Sequence, residues 1–548
     1  MRFGPLRLAA AALLTCAAPA LAQEAPPPKL VVVISVDQFS ADLFGEYRPL
    51  YTEGLARLQQ GAVFPKGYQS HAATETCPGH STILTGNRPG HTGIIANEWI
   101  DQSVAREDKT VYCSEDPSLP GTSSRDYVAS NQYLLVPTLG GYMKAANPAA
   151  RVVSVAGKDR AAIMMGGKTL DQIWWWGNQG FTSYRGTATT PLVDRVNAGI
   201  MMMVNQERPA MEVPAQCLSR DRAVPVSPTA SVGAGHFARA AGDMRAFRAS
   251  PEYDAAVLAL AASEVEDLDL GKGPATDLLI VGLSATDYVG HSRGTQGVEM
   301  CLQMMSLDRE LGAFFERLDA RGIDYMVALT ADHGGLDLPE RAREQAAADA
   351  QRVDRSLLPG QVNEALRART GLSGELILAG GPFGDVYVNR ALPAADRARV
   401  LAEAKALYLA NPQVQTVYTH EELAAAPEPA GPPESWSLLQ EAKASFNPDR
   451  SGDLLVLLRP RVTPIADGGG GGSVATHGSP WDYDRRVPIL FWRKDMVHFE
   501  QPLGVETVDI LPTLAAQIGL ALPATGIDGK CLDLDAAAAS SCPARQDR

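Results

Sequence analysis

Six short runs of apolar, often β-branched residues punctuate the chain: Leu30–Val36, 152–155, 277–282, Tyr325–Thr330, Leu454–Leu458 and 487–491. Each run is continuous rather than alternating, the pattern of strands buried on both faces. Between them lie amphipathic helical stretches such as 41–59 and 299–319. This predicts an α/β fold, a mostly parallel central sheet flanked by helices. In such sheets the ligand crevice lies at the carboxyl ends of the strands, so the residues just after each run carry the functional information.

Three intervening stretches, near 99–133, 174–250 and 342–452, are rich in turns, in Gly, Pro and Arg, or in Ala and Arg. They are read as cap insertions in a single catalytic domain spanning 23–548, because one core rarely grows beyond roughly 250 to 300 residues. The tryptophans at 174–176 read as cap core, and the five glycines at 468–472 as a flexible strap. At the start, Arg2 and Arg7 precede the apolar run 8–14 and the small-x-small site Ala20-Leu21-Ala22, so 1–22 reads as a signal peptide and the mature chain as an exported protein, periplasmic or secreted. Cys16 raises a lipoprotein alternative, but Leu13-Leu14-Thr15 is a poor lipobox. No later apolar run is long enough for a membrane span. Loss of Arg2 and Arg7 without loss of an acidic residue takes the formal charge from −14 to −16, which argues against a nucleic-acid-binding module. Six cysteines remain after cleavage, an even number suited to an oxidising compartment. Their neighbourhood in sequence suggests Cys77 with Cys113, Cys217 with Cys301 and Cys531 with Cys542.

The strand ends are chemically distinctive. Leu30–Val36 stops at Asp37; 277–282 leads to Asp287 and His291; Tyr325–Thr330 leads to Asp332 and His333; and His477 precedes the last run. Three carboxylates and three imidazoles suffice for two three-ligand zinc sites with open coordination, an arrangement suited to in-line displacement at phosphorus. The segment 76–86 reads as a helix that starts near Thr76, has Pro78 in its first turn and closes at Gly86. Thr76 is either a simple cap or a nucleophile whose phosphoryl group rests on the helix amides. The other histidines, His80 among them, carry little weight in this reading. Cys77-Pro78 breaks the Cys-x-Pro-x-Arg pattern of type I sulfatases, and a thiol nucleophile is disfavoured by disulfide formation.

The ordered set Asp37, Thr76-Cys77-Pro78-Gly79-His80, Gly93-Ile94-Ile95-Ala96-Asn97, Asp287-x3-His291, Asp332-His333-Gly334 and His477 resembles the alkaline phosphatase superfamily, in its nucleotide pyrophosphatase/phosphodiesterase-like branch. Within it, Gly157-Lys158-Asp159-Arg160 is similar to the phosphate-irrepressible alkaline phosphatases. The resemblance implies an alkaline-phosphatase-like fold and two Zn2+ ions, one on Asp287, His291 and His477, the other on Asp37, Asp332 and His333 and touching Thr76. It also implies a phosphothreonine intermediate on Thr76 and an amide donor at Asn97. Some relatives carry a structural Ca2+, for which no ligand set stands out here. Lys158 and Arg160 beside a third phosphoryl oxygen favour the dianion of a monoester over a diester; the competing reading is a surface salt bridge, for instance with Asp159. The expected partners are therefore small-molecule phosphate monoesters. A phosphodiesterase or nucleotide pyrophosphatase is the alternative within the superfamily, and a catalytically dead phosphate- or metal-binding protein the alternative outside enzymes. A phosphoglycerate mutase fits poorly with export.

Overall fold

The computed structural model describes residues 26–345, 347–469, 472–535 and 540–543. The predicted signal peptide 1–22, Cys16 and two residues of the glycine strap lie outside them. Among the described residues the central sheet has ten strands. Its principal members are β1 (Leu30–Val36), β2 (Ala62–Tyr68), β3 (Val152–Ala156), β4 (Gln172–Trp176), β5 (Asp277–Leu283), β6 (Tyr325–Thr330) and β7 (Arg486–Arg493). They lie in the order β2-β7-β6-β1-β5-β3-β4, with two-residue strands at both edges. Strands β6, β1, β5, β3 and β4 are parallel, in that order across the sheet. β7 is antiparallel to both β6 and β2, so the sheet is mixed on one side.

Every residue of β1 is buried. Leu30, Val32, Ile34 and Val36 belong to a core shared with helices α3 (Pro251–Asp267) and α5 (Val298–Ala320), whereas Val31 and Val33 belong to a second core shared with α1 (Thr76–Ile83) and α2 (Asp159–Gly166). Alternate side chains of one strand therefore feed opposite layers, the physical reason for its unbroken apolar run. At about 1.5–3 kcal/mol for each fully buried aliphatic side chain, this strand anchors both layers. The fifth helix that matters to the site, α4 (Ala285–Arg293), follows β5 directly.

Three expectations change. The run Leu454–Leu458 lies outside the central sheet; it pairs with 384–388 and Val414–Thr419 in a four-stranded antiparallel sheet. The tryptophans Trp174, Trp175 and Trp176 form β4, near the edge of the central sheet, rather than cap core. The stretch 41–59 is two short helices joined by a 3-10 turn, not one helix. Bridges join Cys77 to Cys113, Cys217 to Cys301 and Cys531 to Cys542. Among the described residues no helix is long and apolar enough to cross a membrane.

Candidate active site

The carboxyl ends of the parallel strands converge on one buried cluster. β1 delivers Asp37, β6 delivers Asp332 and His333, and β5 leads into α4, on which Asp287 and His291 stand four residues apart and so share a helix face. His477 enters from the loop before β7. Asp287 Oδ1 lies 3.2 Å from His291 Nε2 and 3.4 Å from His477 Nε2. Each imidazole donates its Nδ1–H to a main-chain carbonyl: His291 to Ala475 at 2.9 Å, His477 to Thr74 at 2.9 Å and His333 to Gly334 at 2.8 Å. Such bonds turn Nε2 and its lone pair toward the cluster, the usual orientation of a metal-binding histidine.

Among the described residues two groups have the spacing to hold an ion: Asp287, His291 and His477, and Asp37, His80 and Asp332. The second differs from the sequence reading. His80, given no role there, points Nε2 at Asp37 Oδ1 from 3.2 Å and donates Nδ1–H to the Thr76 carbonyl at 2.8 Å. His333 stands beside this group, with Nε2 3.1 Å from Asp332 Oδ2 and 3.5 Å from Thr76 Oγ1. Asp37 Oδ1 and Oδ2 and Asp332 Oδ2 are buried and receive no well-formed hydrogen bond. Buried carboxylate oxygens that lack a well-formed hydrogen bond and stand beside imidazole nitrogens fit a divalent cation by chemistry as well as by spacing.

The electrostatics separate the imidazoles. Burial, reinforced by His333, lowers the His477 pKa to about 4, so the ring is neutral. Burial opposes a charge on His80 too, but Asp332 and Asp37 prevail and raise its pKa to about 10, making it an imidazolium between two carboxylates. For Asp287, burial works against ionisation and is outweighed by His291 and Lys158, which hold its carboxyl well below the usual range. The Lys158 ammonium bridges the two groups, 2.8 Å from Asp37 Oδ2 and 2.5 Å from Asp287 Oδ2.

Thr76 opens α1 and is buried. Of the first-turn amides expected to receive a phosphoryl group, only the Thr76 N–H has no protein acceptor among the described residues. Cys77 N–H donates to Asn97 Oδ1 at 2.7 Å, Pro78 has no N–H, and Gly79 N–H donates to the Glu75 carbonyl. Using its amide oxygen on Cys77 leaves the Asn97 Nδ2 hydrogens without a protein acceptor among the described residues. Asn97 N–H is in turn held by Glu75 Oε2 at 2.7 Å. Arg160 lines the adjoining cleft of about 420 Å³, with Asn97, Tyr112 and Phe383. Asp159 is no salt-bridge partner for Lys158 or Arg160; its carboxylate accepts from the Tyr112 and Tyr127 hydroxyls.

Sequence reasoning also missed Gln38. Its backbone is left-handed, with φ of 64°, a strained state for a side chain of this size. That turn aims its N–H at Asp332 Oδ1 (3.0 Å) and its Nε2 at Asp287 Oδ1 (3.2 Å), so one residue braces a carboxylate of each group. Close packing supports the same elements. A Cβ on Gly79 would collide with the Asp332 carbonyl. Gly79→Ala is therefore expected to push α1 off the end of β6, at a cost of about 1–3 kcal/mol of stability, and to lower bound metal, read by thermal unfolding and elemental analysis.

A sequence profile described as type I phosphodiesterase / nucleotide pyrophosphatase matches residues 31–480, which contain every residue of this cluster. The chain belongs to the type I phosphodiesterase/nucleotide pyrophosphatase family. Within the alkaline phosphatase superfamily to which that family is joined, it is 60% identical to alkaline phosphatase PhoK of Sphingomonas sp, across 98% of this chain and 99% of the relative. It is 50% identical to alkaline phosphatase PhoD of Zymomonas mobilis, across 94% and 90% of the two chains. The crystal structure of alkaline phosphatase PafA matches its fold with a TM-score of 0.77 at 24% identity, covering 93% of this chain and 99% of the other.

Proposed function

We propose that this family member is an exported, zinc-dependent alkaline phosphatase that hydrolyses phosphate monoesters through a phosphothreonine on Thr76. The observation that carries the reading is the position of Thr76 Oγ1, 3.5 Å from His333 Nε2, beside two ligand groups bridged by Lys158. The names of the relatives at 60% and 50% identity support the same activity.

Asp287, His291 and His477 would hold one Zn2+, and Asp37, Asp332 and His333 the other, with His80 as a neighbouring counter-charge. When bound, the pair supplies charge stabilisation for the entering and leaving oxygens of an in-line displacement. Thr76 Oγ1 gives up its proton to solvent and forms the new P–O bond as the ester P–O bond breaks and the alcohol leaves, protonated by solvent. Water then cleaves the phosphothreonine, releasing inorganic phosphate and restoring the hydroxyl, so one difficult displacement becomes two easier ones. Asn97 Nδ2 donates to a phosphoryl oxygen. Lys158 and Arg160 meet the third non-bridging oxygen, which a diester lacks because a second substituent occupies that position. The inserted segments 99–133 and 342–452 wall the cleft through residues such as Trp99 and Phe383 and act as its cap. Three disulfides suit an oxidising compartment outside the cytoplasm.

The test compares p-nitrophenyl phosphate with bis-p-nitrophenyl phosphate. Wild type is expected to prefer the monoester. Lys158→Ala is expected to lower monoester kcat/KM by roughly 10²-fold, the effect of losing a charge-assisted contact, while changing diester turnover far less. A wild-type preference for the diester would overturn the reading in favour of a phosphodiesterase.

A further inference from the structure

Beyond Lys158 and Arg160 lies a second cavity of about 440 Å³. Arg160 lines both it and the cleft beside Asn97, so that side chain borders the two spaces. The walls of the second cavity bring together Lys158, Arg160, Arg185 and Arg248 against a single carboxylate, Asp159. Among the described residues Asp159 forms no ion pair with them. Its Oδ1 accepts from the Tyr112 hydroxyl and from the Arg160 N–H, each at 2.8 Å, and its Oδ2 accepts from the Tyr127 hydroxyl at 2.6 Å.

Lys158 is already paired with Asp37 and Asp287, but the three guanidinium groups are left short of acceptors. Among the described residues Arg160, Arg185 and Arg248 form no ion pair. Arg160 Nε and Arg248 Nε are buried donors with no partner, and so is the indole N–H of Trp176, a residue only 5% exposed on the same wall. Arg248 gives one N–H to the Gly177 carbonyl at 3.1 Å, while Arg160 reaches only the Tyr112 hydroxyl, at 3.5 Å. Three guanidinium groups without an ion pair around one space make it attractive to an anion. Planar guanidinium groups match the oxygens of a phosphoryl group in pairs.

We propose that this cavity is an oxyanion subsite that receives the second phosphoryl group of a bisphosphorylated substrate while the first lies between Thr76 and Lys158. The proposal rests on the monoesterase reading above and adds a substrate class to it: phosphate monoesters whose leaving group carries another phosphoryl group. Arg185 and Arg248 take no part in the displacement at Thr76, so they act on the choice of substrate alone.

The experiment follows phosphate release from alkyl monophosphates and from the matching alkanediol bisphosphates, with spacers from ethylene to hexylene, at low ionic strength. For at least one spacer, wild-type kcat/KM on the bisphosphate is expected to exceed that on the monophosphate by about tenfold, well beyond the statistical factor of about two for two equivalent ends. Arg248→Gln and, separately, the surface substitution Arg185→Gln are expected to erase most of that advantage and leave monophosphate turnover unchanged. The subsite is overturned if no spacer gives the bisphosphate an advantage, or if both substitutions lower the two substrates alike. A wild-type enzyme that leaves the alkyl monophosphates intact and cleaves diesters instead would mark failure of the underlying reading, a distinct result.

Discussion

Thr76→Ala is expected to lower monoester kcat/KM by at least about 10³-fold while bound metal and thermal stability stay at wild-type levels. The substitution removes one oxygen and a methyl group from a buried position. It leaves in place the supports of the helix start: the Asn97 side chain on Cys77 N–H, the Cys77–Cys113 bridge and the His80 contact to the residue 76 carbonyl. The loss therefore reports the missing nucleophile and not a collapsed site. Thr76→Ser, which keeps the oxygen, is expected to retain measurable turnover. Acid-quenched reactions should show phosphate covalently attached in wild type and Thr76→Ser and none in Thr76→Ala. Full monoester turnover by Thr76→Ala would sink the covalent mechanism.

Removal of metal should have an effect of similar size. Dialysis against a chelator is expected to abolish turnover and lower the unfolding temperature, with both recovered on addition of Zn2+. Each site contributes about 4 kcal/mol to the folded state when free metal is 1,000 times its Kd. Three buried carboxylates, Asp37, Asp287 and Asp332, face one another, and in the metal-free protein His80 and Lys158 offset their charge. The apo protein is thus expected to stay folded but less stable. Reconstitution should weaken as pH falls. Burial disfavours a proton on His333, but Asp332 overcomes this and raises its pKa, so protons compete with zinc for that ring. Chelated protein that keeps full activity would contradict the metal assignment.

The carboxylates and histidines at strand ends were legible because an α/β sheet exposes those positions to the ligand crevice whatever the surrounding loops do. Asp37, Asp287, His291, Asp332, His333 and His477 are indeed gathered there. Gln38 was not legible, since its role depends on a left-handed backbone angle that its residue type disfavours. His80 left one usable signal, its spacing of four from Thr76, which on a helix stacks the two on one face. The helix amides are fewer than the sequence suggested because Pro78 both announces a helix start and deletes one of the donors such a site would need. Leu454–Leu458 has the period of a buried strand, yet nothing in a strand's own period names the sheet it joins. The same limit hid the antiparallel placement of β7.

The residues brought together at the strand ends stretch from Asp37 to His477, nearly the whole length over which the family profile matches. A nascent chain displays Asp37 early and His477 only when synthesis is almost complete. No chain halted upstream of His477 contains the full set. Catalysis therefore reports that the polypeptide was made and folded at least through His477, and truncation upstream of it leaves no lesser enzyme behind.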